Sequence, residues 1–176
     1  GHVDSFARDN LPPRALWPDL LFDRTTGLIY PDRLNAATEF VDKWVSSGQG
    51  DRVAIISPNE TMTYAQLAER INRICNVLTR DLGMESGNRV LLHAPNSPTM
   101  IAAYLAVMKA GGVTVATMPL LRAKELSFTC KKAKIKLALG DSRLSTELEK
   151  TKELVPELKR VFYWGGSGAD SLESLM

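Results

Sequence analysis

The sequence predicts an α/β fold in three layers, in which a mainly parallel sheet is flanked by helices. From residue 86 onwards, short apolar runs alternate with segments of helical periodicity, a pattern typical of β-α-β units. The crossover in such a unit is right-handed and makes neighbouring strands parallel. A hydrophobic content of 44% in 176 residues is ample for the core of one domain.

We divide the chain into three parts. Residues 1–34 are rich in proline, which opposes regular helix, and are predicted to form an extended, packed lead-in. Residues 35–164 are predicted to form the α/β subdomain. Residues 165–176 begin with Gly-Gly-Ser-Gly and are predicted to connect it to a further subdomain. The side chains expected to anchor the lead-in on a surface are Leu16, Trp17, Leu20, Leu21, Phe22 and Tyr30.

The first half of the subdomain is predicted to hold two helices and a hairpin. Apolar residues recur at helical spacing from Asn35 to Ser46. The β-branched run Val53–Ile56 and the segment Thr61–Thr63 are predicted to pair as a hairpin. Thr63 and Gln66 then form a capping-box pattern that begins a second helix. The core-facing residues predicted for this helix are Leu67, Ile71, Ile74, Leu78 and Leu82.

The second half is predicted to alternate strands and helices. An apolar centre predicts a strand at Arg89–His93, and the following helix, Ser97 to Ala110, is apolar nearly all round, as expected for a helix covered on several sides. Gly111-Gly112 can end that helix in the left-handed backbone conformation. The remaining predicted elements are strands at Val113–Ala116, Ile135–Leu139 and Val161–Trp164 and helices at Leu121–Lys134 and Thr146–Leu154.

Composition and charge argue against several classes of protein. The formal net charge of +2 is too small to indicate a nucleic acid partner. No run of eighteen apolar residues occurs, so no membrane span is predicted. The chain begins without an apolar signal core, and we expect a soluble, cytoplasmic protein. Cys75 and Cys130 lie far from any other Cys or His pattern and are predicted to be reduced core thiols.

Residues of chemical interest are few. His93 ends a predicted strand, and no nucleophile with a carboxylate partner is indicated by spacing, so a packed or capping histidine is favoured over a catalytic base. Gly165–Gly168 is not followed by the lysine of a phosphate-binding loop, so a flexible connector is favoured. We predict neither a catalytic residue nor a metal site in this chain.

Several short motifs resemble one enzyme family when they are taken together in order. They are Leu34–Asp42, Met62–Leu67, Asn88–Val90, Pro95–Ser97, Met108–Gly112 and Pro119–Leu126. At this spacing the chain resembles the N-terminal part of the acyl- and aryl-CoA ligases of the acyl-adenylate-forming, or AMP-binding, superfamily. The sequence LLRAKEL and the proline-rich lead-in are most similar to 2-aminobenzoate- and benzoate-CoA ligases. Gln66, where an acid is usual, and Met118, where asparagine is commoner, depart from the family pattern.

The resemblance implies a reaction for a longer enzyme. An aromatic acid and ATP would form an acyl-adenylate with release of pyrophosphate, and CoA would then form the thioester with release of AMP. ATP, CoA and Mg²⁺ would be the cofactors, a small aromatic carboxylic acid the substrate, and aromatic compound degradation the process. The family's ATP-binding and catalytic motifs lie beyond Met176, so this chain alone is expected to be inactive, and the missing subdomains are its expected partners.

Within this chain, the resemblance leaves Arg122 and Lys124 as candidate contacts for the phosphates of CoA, because some relatives have a basic residue near this position. Leu120 occupies the closest matching position. Six basic residues and one acid, Glu125, lie between Arg122 and Lys136, and a solvated helix face is the simpler interpretation of this run. The alternative function is a stand-alone α/β interaction or nucleotide-binding module without catalysis.

Overall fold

A four-stranded parallel sheet forms the centre of the molecule in a computed structural model, which describes residues 2–19, 22, 27, 29–31, 33–169 and 171–176. The helices are α1 (Phe6–Asp9), α2 (residues 36–49), α3 (Tyr64–Asn76, continued by Val77–Asp81), α4 (Pro98–Lys109), α5 (Ala123–Ala133), α6 (Ser145–Leu154) and α7 (Leu172–Leu175). The strands are β1 (Val53–Ile56), β2 (Thr61–Thr63), β3 (Arg89–His93), β4 (Val113–Thr117), β5 (Leu137–Asp141) and β6 (Arg160–Trp164).

The strand order in the sheet is β4-β3-β5-β6, and β1 and β2 form a separate antiparallel hairpin. Strand β3 pairs in parallel with β4 on one side and with β5 on the other, so that His93 lies beside both Thr117 and Gly140. The strand order therefore reverses between β3 and β5. This arrangement confirms the predicted α/β fold with a parallel sheet.

Each face of the sheet buries its own hydrophobic core. Val90 and Leu92 of β3 face the core beneath α3 and α4, whereas Leu91 faces the core beneath α5 and α6, as the two-residue period of a strand requires. The capping box at the start of α3 is also formed, because Thr63 Oγ1 accepts from the Gln66 N–H and Gln66 Oε1 accepts from the Thr63 N–H. The predicted stripe of α3 is buried at Leu67, Ile71, Ile74, Leu78 and Leu82.

Strand β5 begins two residues later than predicted. Lys134 takes a left-handed backbone conformation with φ of 49°, and the Ile135 N–H donates to the Cys130 carbonyl at 2.9 Å. These are features of a helix C-terminus, where an apolar residue often packs back on the last turn. Ile135 is fully buried in the same core as Cys130, so it closes α5 instead of opening the strand.

Helix α2 leaves regular helical geometry close to where it was predicted to end. We expected it to end at Ser46, and the helical segment is kinked at Gly48, which has φ of +77°, a conformation that favours glycine. Gly48 therefore interrupts the helix within two residues of the predicted end, and the turn that reaches Gln49 lies beyond this kink.

One buried arginine holds the N-terminal segment against the amino ends of the strands. Arg89 is 6% exposed, and its Nη1 lies 2.5 Å from Asp4 Oδ2. Its guanidinium lies 4.7 Å from the ring centre of Phe6. The same side chain donates to the carbonyl oxygens of Gly87, Ala133 and Lys134. The start of the lead-in is thus bound to the sheet by a guanidinium group whose three nitrogens all donate hydrogen bonds.

The other predicted anchors of the lead-in are largely exposed. Leu16, Trp17, Phe22 and Tyr30 all have exposed side chains, Leu16 to 74%, although the Phe22 and Tyr30 rings pack edge to face with centres 5.1 Å apart. The packed lead-in stays a prediction, and Asp4 and Phe6 make the attachment to the sheet that the structure describes. Leu20 and Leu21 lie outside the described residues. The division into 1–34, 35–164 and 165–176 stays a prediction.

The last residues return to the sheet. A parallel bridge joins Tyr163 to Ser171, and Leu172 is fully buried in the same core as Trp164. The segment 165–176, predicted to connect to a further subdomain, therefore ends in the short helix α7. Within the part of the chain that the structure describes, no helix combines the length and apolar character needed to cross a membrane.

Candidate functional site at the carboxyl edge of the sheet

Open parallel sheets bind ligands outside the carboxyl ends of their strands, next to the point where the strand order reverses. That point lies between β3 and β5 in this sheet. We therefore define the carboxyl edge by the strand ends His93, Thr117 and Asp141 and by Glu147, which approaches them from α6.

His93 is fully buried and uses one ring nitrogen. Its Nδ1 lies 3.0 Å from Thr117 Oγ1, and the Thr117 hydroxyl donates to the Leu92 carbonyl at 3.2 Å. The Thr117 hydroxyl has a single proton, which is used in the bond to Leu92. The hydrogen in the contact between His93 and Thr117 is therefore carried by Nδ1 of the neutral ring, and Nε2 carries a lone pair. Nε2 is buried and has no hydrogen-bond partner among the described residues. His93 is thus a packed histidine, as predicted, with an unused acceptor.

Glu147 joins the two helices that cover this face of the sheet. Its Oε2 accepts from the Ala123 N–H at 2.9 Å, and its Oε1 accepts from Lys150 Nζ at 3.2 Å. The bond from the Ala123 amide is the main reason that the pKa of Glu147 lies below its usual value. It satisfies one of the free N–H groups at the start of α5. Glu147 therefore links α6 to the start of α5 and places a negative charge near His93.

Asp141 is buried at the end of β5 and is fully engaged by its neighbour. Its carboxylate accepts from Arg143 Nε at 2.8 Å, from Nη2 at 2.7 Å and from the Arg143 main-chain N–H at 3.0 Å. These bonds from the Arg143 side chain hold the pKa of Asp141 below its usual value. Because its oxygens are occupied in this way, Asp141 serves as a turn cap and is poorly placed to act as a general base.

The stability of the chain should depend on the charge of His93. Burial lowers the pKa of His93 from its ordinary value of 6.5, and Glu147 opposes this effect. The unfolded chain therefore binds a proton more readily than the folded one, and folding stability is lost as the pH falls below 6.5. We expect the free energy of unfolding to fall between about pH 7.5 and about pH 5.5, and His93→Gln to remove this contribution, as measured by urea denaturation.

The second histidine provides the control for this measurement. His2 is exposed, so His2→Gln should leave the pH dependence of the wild-type chain in place. A His93→Gln chain that loses stability as steeply as the wild type over the same pH interval would show that His93 is not the titrating group.

The two predicted site residues lie on the surface at the start of α5. Arg122 is 75% exposed, and its Nη1 lies 3.8 Å from Glu147 Oε1. Its main-chain N–H donates to Glu125 Oε2 at 3.1 Å, which fixes the backbone while leaving the guanidinium accessible. Lys124 is exposed in the first turn of the same helix. Arg122 therefore lies next to the carboxyl edge, and Lys124 is close to it in the chain.

The basic run from Arg122 to Lys136 does not form a single patch. Lys131 and Lys132 lie in the last turn of α5, and Lys134 and Lys136 follow the helix towards the amino ends of the strands. The 11 residues of the helix separate the two groups by roughly 16 Å. The sequence places six cations in one stretch, but the fold directs them to opposite edges of the sheet.

The glycine-rich loop after β6 already holds a carboxylate. The Gly165 N–H donates to Glu173 Oε1 at 2.9 Å, and the Ser171 hydroxyl donates to Glu173 Oε2 at 2.8 Å. The Glu173 carboxylate therefore occupies a main-chain N–H donor that a bound phosphate would need. Its negative charge would also repel the phosphate. The geometry agrees with a structural role for Gly165–Gly168, of which residues 166–168 border a cavity of about 240 Å³ together with Ser142.

Metal-binding and thiol chemistry find little support in the described part of the chain. No group of three or more His, Cys, Asp or Glu side chains there is placed to hold a metal. Cys75 and Cys130 are free thiols, and burial raises the pKa of Cys130 to about 11. A thiol with so high a pKa is a poor nucleophile near neutral pH.

Comparison with known families agrees with this architecture. Residues 42–171 match the family described as AMP-binding enzyme, which is most of the chain. The chain therefore belongs to the AMP-binding enzyme family.

The relatives it is similar to include ligases of aromatic acids. The benzoate–CoA ligase of Thauera aromatica is 27% identical over 83% of this chain, and the 4-hydroxybenzoate–CoA/benzoate–CoA ligase of Rhodopseudomonas palustris is 26% identical over 79%. Among solved structures, an anthranilate CoA ligase in complex with anthranoyl-AMP superposes with a TM-score of 0.75 at 20% identity over 83% of this chain. A benzoate CoA ligase from Burkholderia xenovorans gives 0.71 at 21% identity over 81%.

The match covers only part of each relative. The chain spans 28% and 26% of the lengths of the two curated ligases, and 27% and 28% of the two solved chains. At these identities the structural likeness supports the fold, and the family assignment comes from the match over residues 42–171.

Proposed function

We propose that this chain is the N-terminal part of an ATP-dependent aryl-CoA ligase whose substrate is 2-aminobenzoate or a closely related benzoate. The similarity to benzoate–CoA ligases over 83% of the chain carries this proposal. The resemblance of the sequence LLRAKEL and of the proline-rich lead-in to 2-aminobenzoate-CoA ligases is the reason for preferring 2-aminobenzoate. A cytoplasmic location and a role in aromatic compound degradation remain predictions.

In the proposed reaction, a carboxylate oxygen of the acid attacks the α-phosphorus of ATP, and pyrophosphate leaves. The CoA sulfur then attacks the acyl carbon of the adenylate, and AMP leaves. A carboxylate is a poor electrophile, and the bond to AMP provides a good leaving group. Mg²⁺ would screen the phosphates in the complete enzyme.

We propose that ATP and Mg²⁺ are not held by this chain itself. Asp141 is committed to Arg143, and the glycine-rich loop is closed by Glu173. We infer that these cofactors are held by the rest of the enzyme, that the isolated chain is inactive, and that its role is structural. Met118 and Leu120 are 62% and 78% exposed in the loop after β4. Their exposure supports a further subdomain of the same chain as the partner at this edge.

Substrate preference can be tested with the complete enzyme. Acid-dependent release of AMP should be measured with 2-aminobenzoate, benzoate and acetate. We expect kcat/KM for at least one of the aromatic acids to exceed that for acetate by about a hundredfold or more. The methyl group of acetate would make few of the contacts that an aromatic ring makes in an aryl-binding pocket. Equal use of acetate, or no AMP release with any of the three acids, would overturn the proposal.

Arg122 and Lys124 are proposed to contact the phosphates of CoA. Both are exposed cations at or near the carboxyl edge, and the guanidinium of Arg122 forms only a long ion pair, of 3.8 Å, with Glu147 among the described residues. The double change Arg122→Glu and Lys124→Glu in the complete enzyme should raise the KM for CoA about tenfold, since it turns attraction into repulsion. Pyrophosphate exchange with ATP, which precedes CoA binding, should be unchanged.

The other end of the same helix offers a matched control. Lys131→Glu with Lys132→Glu makes the same change in net charge about 10 Å or more along α5. This control should leave the KM for CoA near the wild-type value. An unchanged KM in the Arg122 and Lys124 variant would exclude their proposed role.

A further inference from the structure

Three cations lie together at the amino edge of the sheet, where the parallel strands begin. Lys136 directly precedes β5, and Lys159 and Arg160 lie at the start of the neighbouring strand β6. The N–H groups of Lys159 and Arg160 both point at the Lys136 carbonyl, at 3.2 and 3.3 Å. The pairing of β5 with β6 therefore fixes these three residues as neighbours.

Their side chains line one cavity of about 220 Å³. Its other lining residues are Leu82, Gly83, Met84, Asn88 and Leu137, so none of the lining residues is acidic. Arg160 is aimed by a hydrogen bond from Nη1 to the Leu82 carbonyl. The ion pairs found within the described part of the chain include none of the three cations.

The fold makes little use of these charges. All three residues are exposed, and like charges on neighbouring strands destabilise a sheet. An adjoining cavity, which also includes Lys134 and Lys136, is lined by two acids, Asp4 and Glu85. Asp4 is already paired with Arg89. The amino edge thus keeps an excess of positive charge around an open cavity.

We propose that this cavity binds a phosphate group. Lysine ammonium groups supply point charges, and a guanidinium can donate two parallel hydrogen bonds to phosphate oxygens. The charge of three cations is balanced better by a doubly charged phosphate group than by a carboxylate, which carries a single negative charge. The group is either a free inorganic anion or the phosphomonoester of a larger molecule. The site lies at the opposite ends of the strands from the carboxyl edge, so it is separate from the CoA contacts proposed above.

Titration of the ¹⁵N-labelled chain tests the proposal, with ionic strength held constant by sodium chloride. Inorganic phosphate and AMP are the two probes. We expect saturable shifts confined to the amides near residues 83, 137 and 160, with a dissociation constant of about a millimolar. A stronger response to AMP would identify a phosphomonoester as the ligand, whereas a response to inorganic phosphate at least as strong would identify the free anion.

Charge removal provides the second readout. Lys136→Gln with Lys159→Gln should weaken phosphate binding by about tenfold. The control pair Arg73→Gln and Lys152→Gln removes the same charge from exposed sites on α3 and α6 and should leave binding unchanged. Absence of saturable shifts, or equal affinity in the two double variants, would overturn the proposal. Neither result bears on the ligase reaction, because both use the chain without acid, CoA or ATP turnover.

Discussion

Arg89→Ala is expected to lower the free energy of unfolding by about 3 kcal/mol and to release the N-terminal residues from the sheet. The guanidinium is buried, and it donates to Asp4 and to three main-chain carbonyls. Truncation to alanine leaves the Asp4 carboxylate and the three carbonyl oxygens without their donor in a site shielded from water. The free-energy cost of such unpaired buried acceptors is larger than the net stabilisation that an ordinary hydrogen bond provides. Urea denaturation measures the loss.

Hydrogen exchange separates this effect from a general weakening of the fold. The Asp4 N–H donates to the Ser86 carbonyl at 2.9 Å, so its protection reports the attachment of the segment. Arg73→Ala is the control, because Arg73 is exposed and forms a surface ion pair with Glu69 one turn away, and it should change stability by about 0.5 kcal/mol or less. Equal losses in the two variants, with Asp4 protection retained in Arg89→Ala, would contradict the assigned role.

Leu139→Ala should cost about 3 kcal/mol of folding free energy. Leu139 is fully buried at the middle of β5, between β3 and β6, and packs in the core beneath α3 and α4. Removing its side chain loses apolar burial and leaves a cavity that paired strands cannot close.

Leu154→Ala gives the matched comparison at a surface position. Leu154 ends α6 and is 52% exposed, so the same truncation should cost about 1 kcal/mol or less. Both variants are compared by chemical denaturation, with the slope of unfolding checked against that of the wild type. A loss at Leu139 no larger than that at Leu154 would mean that β5 is not a central strand.

The parts of the fold that sequence predicts well are those that depend on local pattern. The stripe of α3 and its capping box need only spacings of three and four residues, and both are formed. Errors appear where tertiary contacts decide. Ile135 has the apolar character of a strand residue, but the left-handed Lys134 places it in the core as the last contact of α5. The attachment of the lead-in through Asp4 and Phe6 was not predicted, because both residues reach Arg89 over more than 80 positions of sequence.

The carboxyl edge shows the same division. His93 was predicted to be packed, because its position at the end of an apolar strand can be recognised from the sequence. Its bond to Thr117 joins residues 24 apart, and the link between Glu147 and Ala123 also spans 24 residues. Neither residue lies in a recognisable motif, so their roles become visible only when the strand ends are brought together. The same holds for Lys136 and Lys159, which become neighbours through the pairing of β5 with β6.

The division of the basic run has a direct functional meaning. Arg122 and Lys124 remain available for a ligand at the carboxyl edge, while Lys136 belongs to the cavity at the amino edge. One stretch of sequence therefore contributes cations to two separate candidate sites. The variants proposed for each site leave the other unchanged, so the two proposals can be tested independently.

Exchange of labelled pyrophosphate into ATP, dependent on an aromatic acid, tests the central claim most directly. It should be measured on the 176-residue chain and on the complete enzyme under the same conditions. We predict exchange by the complete enzyme with 2-aminobenzoate or benzoate and none by the chain alone, because Asp141 and the glycine-rich loop are already occupied by the chain's own side chains. Acid-dependent exchange by the isolated chain, or its absence from the complete enzyme with both acids, would contradict this account.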